Sequence, residues 1–214
     1  MSEASQPVRR LPARRLAVML GVWVLVVAVV AVVAAALTSE PTPAERASVP
    51  DPNLPPLTLS LDRDLPAAAV AATTAAKQIE VLQDLAIERN TPEAWVDLGA
   101  ARHYQQDYAG AVLDYRRALT LDPNRLDAQV GLLMVDAATA SGRERSAPAL
   151  AKLAARHPQS QLVAFNQGML AVYREDKATA DAAFARVRAI DPTSPLGKVA
   201  ERLTTAAQGN TKNK

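Results

Sequence analysis

The chain has 214 residues, a formal net charge of +2 and no cysteine. The lack of thiols excludes disulfides, thiolate metal sites and cysteine nucleophiles. Basic residues scattered among acidic ones leave no nucleic-acid footprint. An alanine-rich composition with 4% aromatic residues argues for an all-helical protein.

Residues 1–15 are polar and basic, with Arg9, Arg10, Arg14 and Arg15 against Glu3. Residues 16–37 then run without charge or proline. As a helix at ~1.5 Å per residue they would span roughly 33 Å, enough for a hydrocarbon core of about 30 Å. Ala34-Ala35-Ala36 resembles a signal-peptidase site, but a secretory apolar region is roughly 7 to 15 residues long. We therefore read an uncleaved transmembrane helix. Four arginines precede it, whereas Arg46 and Arg63 are outnumbered beyond it by Glu40, Glu45, Asp51, Asp62 and Asp64. The positive-inside rule places the N-terminus in the cytoplasm and the rest on the extracytoplasmic (periplasmic) side of a cell membrane.

Residues 38–66 contain Pro41, Pro43, Pro50, Pro52, Pro55, Pro56 and Pro66. Proline at this density forbids a helix and favours polyproline-like chain, so a linker is expected, either a spacer or a tether of no required length. Residues 67–91 resume helical spacing through Ile79, Leu82, Leu85 and Ala86, and Asn90-Thr91-Pro92 is a stop and restart. This stretch is expected to be an N-terminal capping helix.

Residues 92–125 carry the densest pattern. Gly99 has no side chain where two helices would cross, and Ala111 and Ala118 are small where a second helix would nest. Trp95, Leu98, Tyr115 and Leu119 supply apolar fill, and Pro123 ends the second helix at Asp122. One such hairpin cannot bury its own apolar face, so neighbours must stack on it.

Trp95, Leu98 and Gly99 match W-x2-L-G, and Tyr108, Ala111, Tyr115, Ala118 and Asp122-Pro123-Asn124 continue the match. The stretch resembles a tetratricopeptide repeat (TPR). Pro123, Pro158 and Pro192 extend the period. Residues 126–160 read as a degenerate second copy, with Gln129 and Leu133 at the Trp and Gly positions and Ser141-Gly142 marking the hairpin turn. Residues 161–194 read as a third copy, keeping Gly168, Ala180, Phe184 and Asp191-Pro192. Residues 195–207 read as a C-terminal capping helix, and 208–214 as a disordered tail. The expected architecture is all-α: one transmembrane helix and a solenoid of about three helical hairpins with caps.

By that resemblance the first helices of the hairpins line a concave face. The register places Val96, Ala100, His103 and Tyr104 there from the first copy, with Glu93, then Val130 and Met134 from the second, with Asp127. The third contributes Phe165, Met169, Val172 and Tyr173, with Leu162. An apolar, methionine-bearing face suits a groove for an apolar or amphipathic protein or peptide segment, unless capping helices cover it as core. Val96, Ala100 and Gly131 stand where related arrays carry a carboxylate clamp, although Asn166 is present.

His103 and His157 fall in different copies without partners at ligand spacing, and no nucleophile triad, phosphate loop or acidic pair is visible. Arg116, Arg117, Arg143, Arg145, Arg186 and Arg188 read as solvated faces. No metal, cofactor, small-molecule substrate or nucleic acid is expected, and no enzymatic activity. The architecture resembles the TPR subunits of cytochrome c maturation. It is also similar to translocon-associated anchored TPR proteins, which act like chaperones. A third possibility is a structural subunit of an envelope complex.

Overall fold

Short polar residues start most of the helices. The computed structural model describes residues 56–211, so the basic tip at 1–15, the expected span at 16–37 and most of the linker lie outside the described residues. Described residues belong to one unit, Pro50–Lys214. Every regular element among them is a helix, and none of these is long and apolar enough to cross a membrane. In order they are α1 (Ala67–Val70), α2 (Ala75–Arg89), α3 (Pro92–Tyr104), α4 (Tyr108–Leu121), α5 (Leu126–Asp136), α6 (Ala140–Arg156), α7 (Gln161–Tyr173), α8 (Lys177–Ile190) and α9 (Pro195–Thr211).

Three hairpins, α3–α4, α5–α6 and α7–α8, follow one plan. Each second helix is capped by a side-chain oxygen that accepts a backbone N–H three residues on: Asp107 from Gly110, Thr139 from Gly142 and Asp176 from Thr179. Such caps satisfy donors that a helix start otherwise leaves orphaned. Thr91 and Ser160 cap α3 and α7 in the same way. The second helices of the outer copies end at Asp122 and Asp191, both in extended conformation before a proline.

Helices are fitted within and between hairpins through aromatic rings against glycine. A Cβ on Gly99 would stand 2.8 Å from Tyr115 Cε1, and one on Gly131 would stand 2.6 Å from Tyr115 Cζ. The Tyr115 ring thus lies against glycines of its own hairpin and of the next, and the helices approach closely because neither has a side chain there. In the third hairpin a Cβ on Gly168 would likewise stand 2.6 Å from Phe184 Cε1. At the other end α2 packs Leu82 and Ala86 against Ala94, Leu98 and Ala101 of α3. Arg102 binds both carboxylate oxygens of the buried Asp114, at 2.9 and 2.8 Å, and reaches Gln83 at 2.8 Å, joining α2, α3 and α4.

Local readings differ from the sequence expectation at three places. The expected capping helix at 67–91 is broken: α1 ends at Val70, and Thr74 restarts the chain by accepting the Lys77 N–H. The turn of the second hairpin is not at Ser141-Gly142 but at 137–139, with both residues inside the first turn of α6. Gly142 serves close approach, since a Cβ there would collide with the Asp136 carbonyl. The last helix, expected to stop at 207, continues to Thr211.

Two hairpin turns hold non-glycine residues in left-handed conformation, Gln106 at φ 63° and Glu175 at φ 58°. They occupy equivalent places one residue before the capping aspartates. A side chain there costs about 1–2 kcal/mol, partly offset because glycine loses more entropy on folding. Gln106→Gly and Glu175→Gly are each expected to raise unfolding stability by about 0.5–1 kcal/mol. Urea denaturation measures the change, and a loss of stability would contradict the assignment of strain.

Candidate functional site

The first helices α3, α5 and α7 bring the expected concave-face residues to one side of the array. Val96, His103, Val130 and Met134 are wholly buried, and Ala100, Phe165 and Met169 nearly so. Val172 and Tyr173 are partly buried, while Tyr104 is 60% exposed at the rim. The face is covered, at the third hairpin partly by the capping helix α9, whose Leu196 and Ala200 share a buried cluster with Phe165 and Met169. The end of the expected linker, residues 57–65, packs across the face.

This segment contacts the face through alternate residues. Leu59 is buried in a cluster with Val96, Ala100, Val130, Met134 and Leu162, and Leu61 packs against the same cluster. Leu57 bridges that cluster and a second one containing Phe165 and Met169. Further on, Leu65 packs beside Leu82 and Leu98. Between the leucines, Asp62 and Asp64 remain exposed.

Polar side chains of the face satisfy the backbone of the segment. Asn166, wholly buried, accepts the Ser60 N–H at 2.9 Å and donates through Nδ2 to the Ser60 carbonyl at 2.8 Å. Its second Nδ2 bond goes to the Leu162 carbonyl at 2.8 Å, which fixes the amide orientation. His103 Nδ1 accepts the Leu59 N–H at a long 3.5 Å, and Tyr173 is hydrogen-bonded to the Leu57 backbone. A buried amide that engages both N–H and C=O of one residue holds a peptide regardless of that residue's side chain.

Arg63 completes the docking electrostatically. Its guanidinium lies 2.6 Å from Asp97, 3.3 Å from Glu93 and 3.6 Å from Asp127. Arg125 grips Asp127 with two bonds of 2.8 and 2.9 Å. Burial pushes the Asp97 carboxyl up to about 6 despite Arg63, with Glu93 and Asp127 adding repulsion. Asp114 is likewise raised to about 6 by burial, opposed by Arg102. Burial lowers His103 to about 4, so the imidazole is neutral near pH 7 and free to accept the Leu59 N–H.

Chemically the face holds the chain's own segment with apolar sockets, one amide clamp and an acidic end. Among the described residues no group of three or more His, Asp or Glu is placed to hold a metal ion. His157 stands apart at the exposed end of α6. Of the arginines read as solvated, Arg143 is buried at the start of α6. The alternation of Leu57, Leu59 and Leu61 was visible in sequence, but the surrounding prolines drew the whole stretch into the linker.

Residues 92–125 match the family described as tetratricopeptide repeat, and that repeat is the hairpin α3–α4 with its closing turn. No curated protein matches the chain.

Because His103 has a folded-state value below its unfolded value of 6.5, the unfolded chain takes up that proton first as pH falls. Its contribution is complete above 6.5 and is lost as pH falls toward 4. Asp97 and Asp114 act oppositely: their raised values add stability as pH falls from about 6 to 3.8. Comparing the wild type with His103→Gln isolates the histidine. Between about pH 7 and 4.5 the wild type is expected to lose roughly 2–3 kcal/mol more than the variant in urea melts. An equal loss would contradict a buried neutral imidazole. A second expectation concerns Asp97, since Arg63 lowers its value. In Arg63→Ala, with Leu59 amide protection showing the segment still docked, carboxyl-carbon NMR is expected to show Asp97 titrating above its wild-type midpoint, and an unchanged midpoint in that docked state would mean that the pair does not form.

Proposed function

We propose that the chain is a membrane-anchored scaffold that engages a protein partner through its repeat array, on the extracytoplasmic side, as an assembly factor in cytochrome c maturation. A tetratricopeptide repeat supports a protein-interaction role in general terms. The observation that carries the peptide-binding part is the Asn166 amide on the Ser60 backbone, at 2.9 and 2.8 Å. It is a contact able to hold a chain segment whatever its side chain. The anchor rests on the uncharged run at 16–37 and the arginines before it. The maturation role rests on resemblance of architecture. The proposed work is binding and not catalysis: the anchor would raise the local concentration of partners on the same membrane.

The covered face determines where a partner can be trapped. A photo-crosslinking residue at Tyr104, exposed on the rim, samples chains approaching the groove in living cells. Mass spectrometry of the adducts is expected to find apocytochromes or haem-attachment proteins. Translocon subunits with many exported chains would replace this reading with a chaperone-like one, and a single stoichiometric envelope protein would replace it with a structural subunit. Protease protection in spheroplasts tests orientation: residues beyond 37 are expected to be cleaved from outside, and their protection would overturn the topology.

A further inference from the structure

The segment across the concave face is held in a way unlike the helices around it. Among the described residues no backbone–backbone hydrogen bond joins 57–65 to a helix. Its polar ties run to the side chains of His103, Asn166 and Tyr173, and from Arg63 to three carboxylates. The leucines enter at every second position, with Leu59 deepest. Each of these features recognises a chain segment in general: backbone N–H and C=O, alternate branched apolar side chains, and one terminal cation. None requires that the segment belong to this molecule.

We infer that Leu57–Arg63 is a ligand mimic held in cis. In its place the concave face takes a non-helical segment of a partner protein with leucines at alternate positions and an arginine two residues after the third. Asn166 and His103 engage the incoming backbone, the clusters around Met134 and Phe165 take its leucines, and Glu93, Asp97 and Asp127 receive its arginine. Displacement frees the cis segment, so the groove opens only to a competitor of the same chemistry. This deepens the interaction role proposed above and rests on it for the existence of a partner.

The test uses the purified full chain in nanodiscs and a fluorescent synthetic peptide spanning residues 56–66. In the wild type, native-state hydrogen exchange is expected to show the Leu59 and Ser60 amides opening about tenfold or more faster than amides of α5, independently of global unfolding. By fluorescence anisotropy the peptide is expected to bind Arg63→Ala about tenfold more tightly than the wild type, because the weakened cis segment competes less. A peptide with its second and third leucines replaced by serine is expected to lose binding to both. Exchange of Leu59 and Ser60 only through global unfolding would overturn the proposal, making the segment a fixed part of the core. A dimer that forms with concentration and is dissociated by the peptide would also overturn it, assigning the groove to a second copy. These readouts use no cellular partner. Their failure leaves adducts at Tyr104 standing, and absence of such adducts leaves the competition measurable.

Discussion

An apolar concave face cannot stand open to water, and the architecture around residues 57–65 follows from that. Val96, Val130, Met134, Phe165 and Met169 all project to one side because they sit on first helices at one register. Leu57 links the cluster of the first two hairpins to that of the third. Burial of one leucine stabilises by about 1.5–3 kcal/mol, no more than ordering one or two backbone residues costs. Leucines alone therefore do not hold so irregular a segment. The Asn166 amide and the Arg63 ion pairs are required as well, and they set its position along the groove.

The stacking of hairpins creates the face in the first place. Tyr115 against Gly99 and Gly131 brings α3, α4 and α5 close, so that α3 and α5 stand side by side with their inner residues aligned. Phe184 on Gly168 repeats the fit in the third hairpin. The Tyr115 fit also accommodates the degenerate second copy. Its glycine lies at 131, two positions before Leu133, and answers the ring of the preceding hairpin instead of one in its own.

Helix identity and order were legible in sequence because caps, closing prolines and the Gly99–Tyr115 pairing are local signals. The common register of Val96, Val130, Met134, Phe165 and Met169 on α3, α5 and α7 was legible for the same reason, since register on a helix follows from spacing alone. The cover was not. Leu57, Leu59 and Leu61 alternate like a half-buried strand, yet nothing local says that Ser60 meets Asn166, 106 positions away. The break between α1 and α2 was hidden because alanines on both sides favour helix and only the Thr74 cap opposes it. Ser141-Gly142 is ambiguous in another way: a glycine suits a turn or a close approach, and Gly142 lies against the Asp136 carbonyl.

A segment joined to its own groove through α1 and α2 experiences a local concentration that a dilute free peptide does not reach. Individually weak ties, such as the 3.5 Å contact of Leu59 with His103, are then enough to keep the groove occupied. The same arithmetic filters competitors. A dilute soluble peptide of equal intrinsic affinity loses to the tether, whereas a chain confined to the same surface, or one gripping a second site on the array, meets it on equal terms. In the exchange proposed above, selection rests less on the strength of the sockets than on which chains are kept nearby.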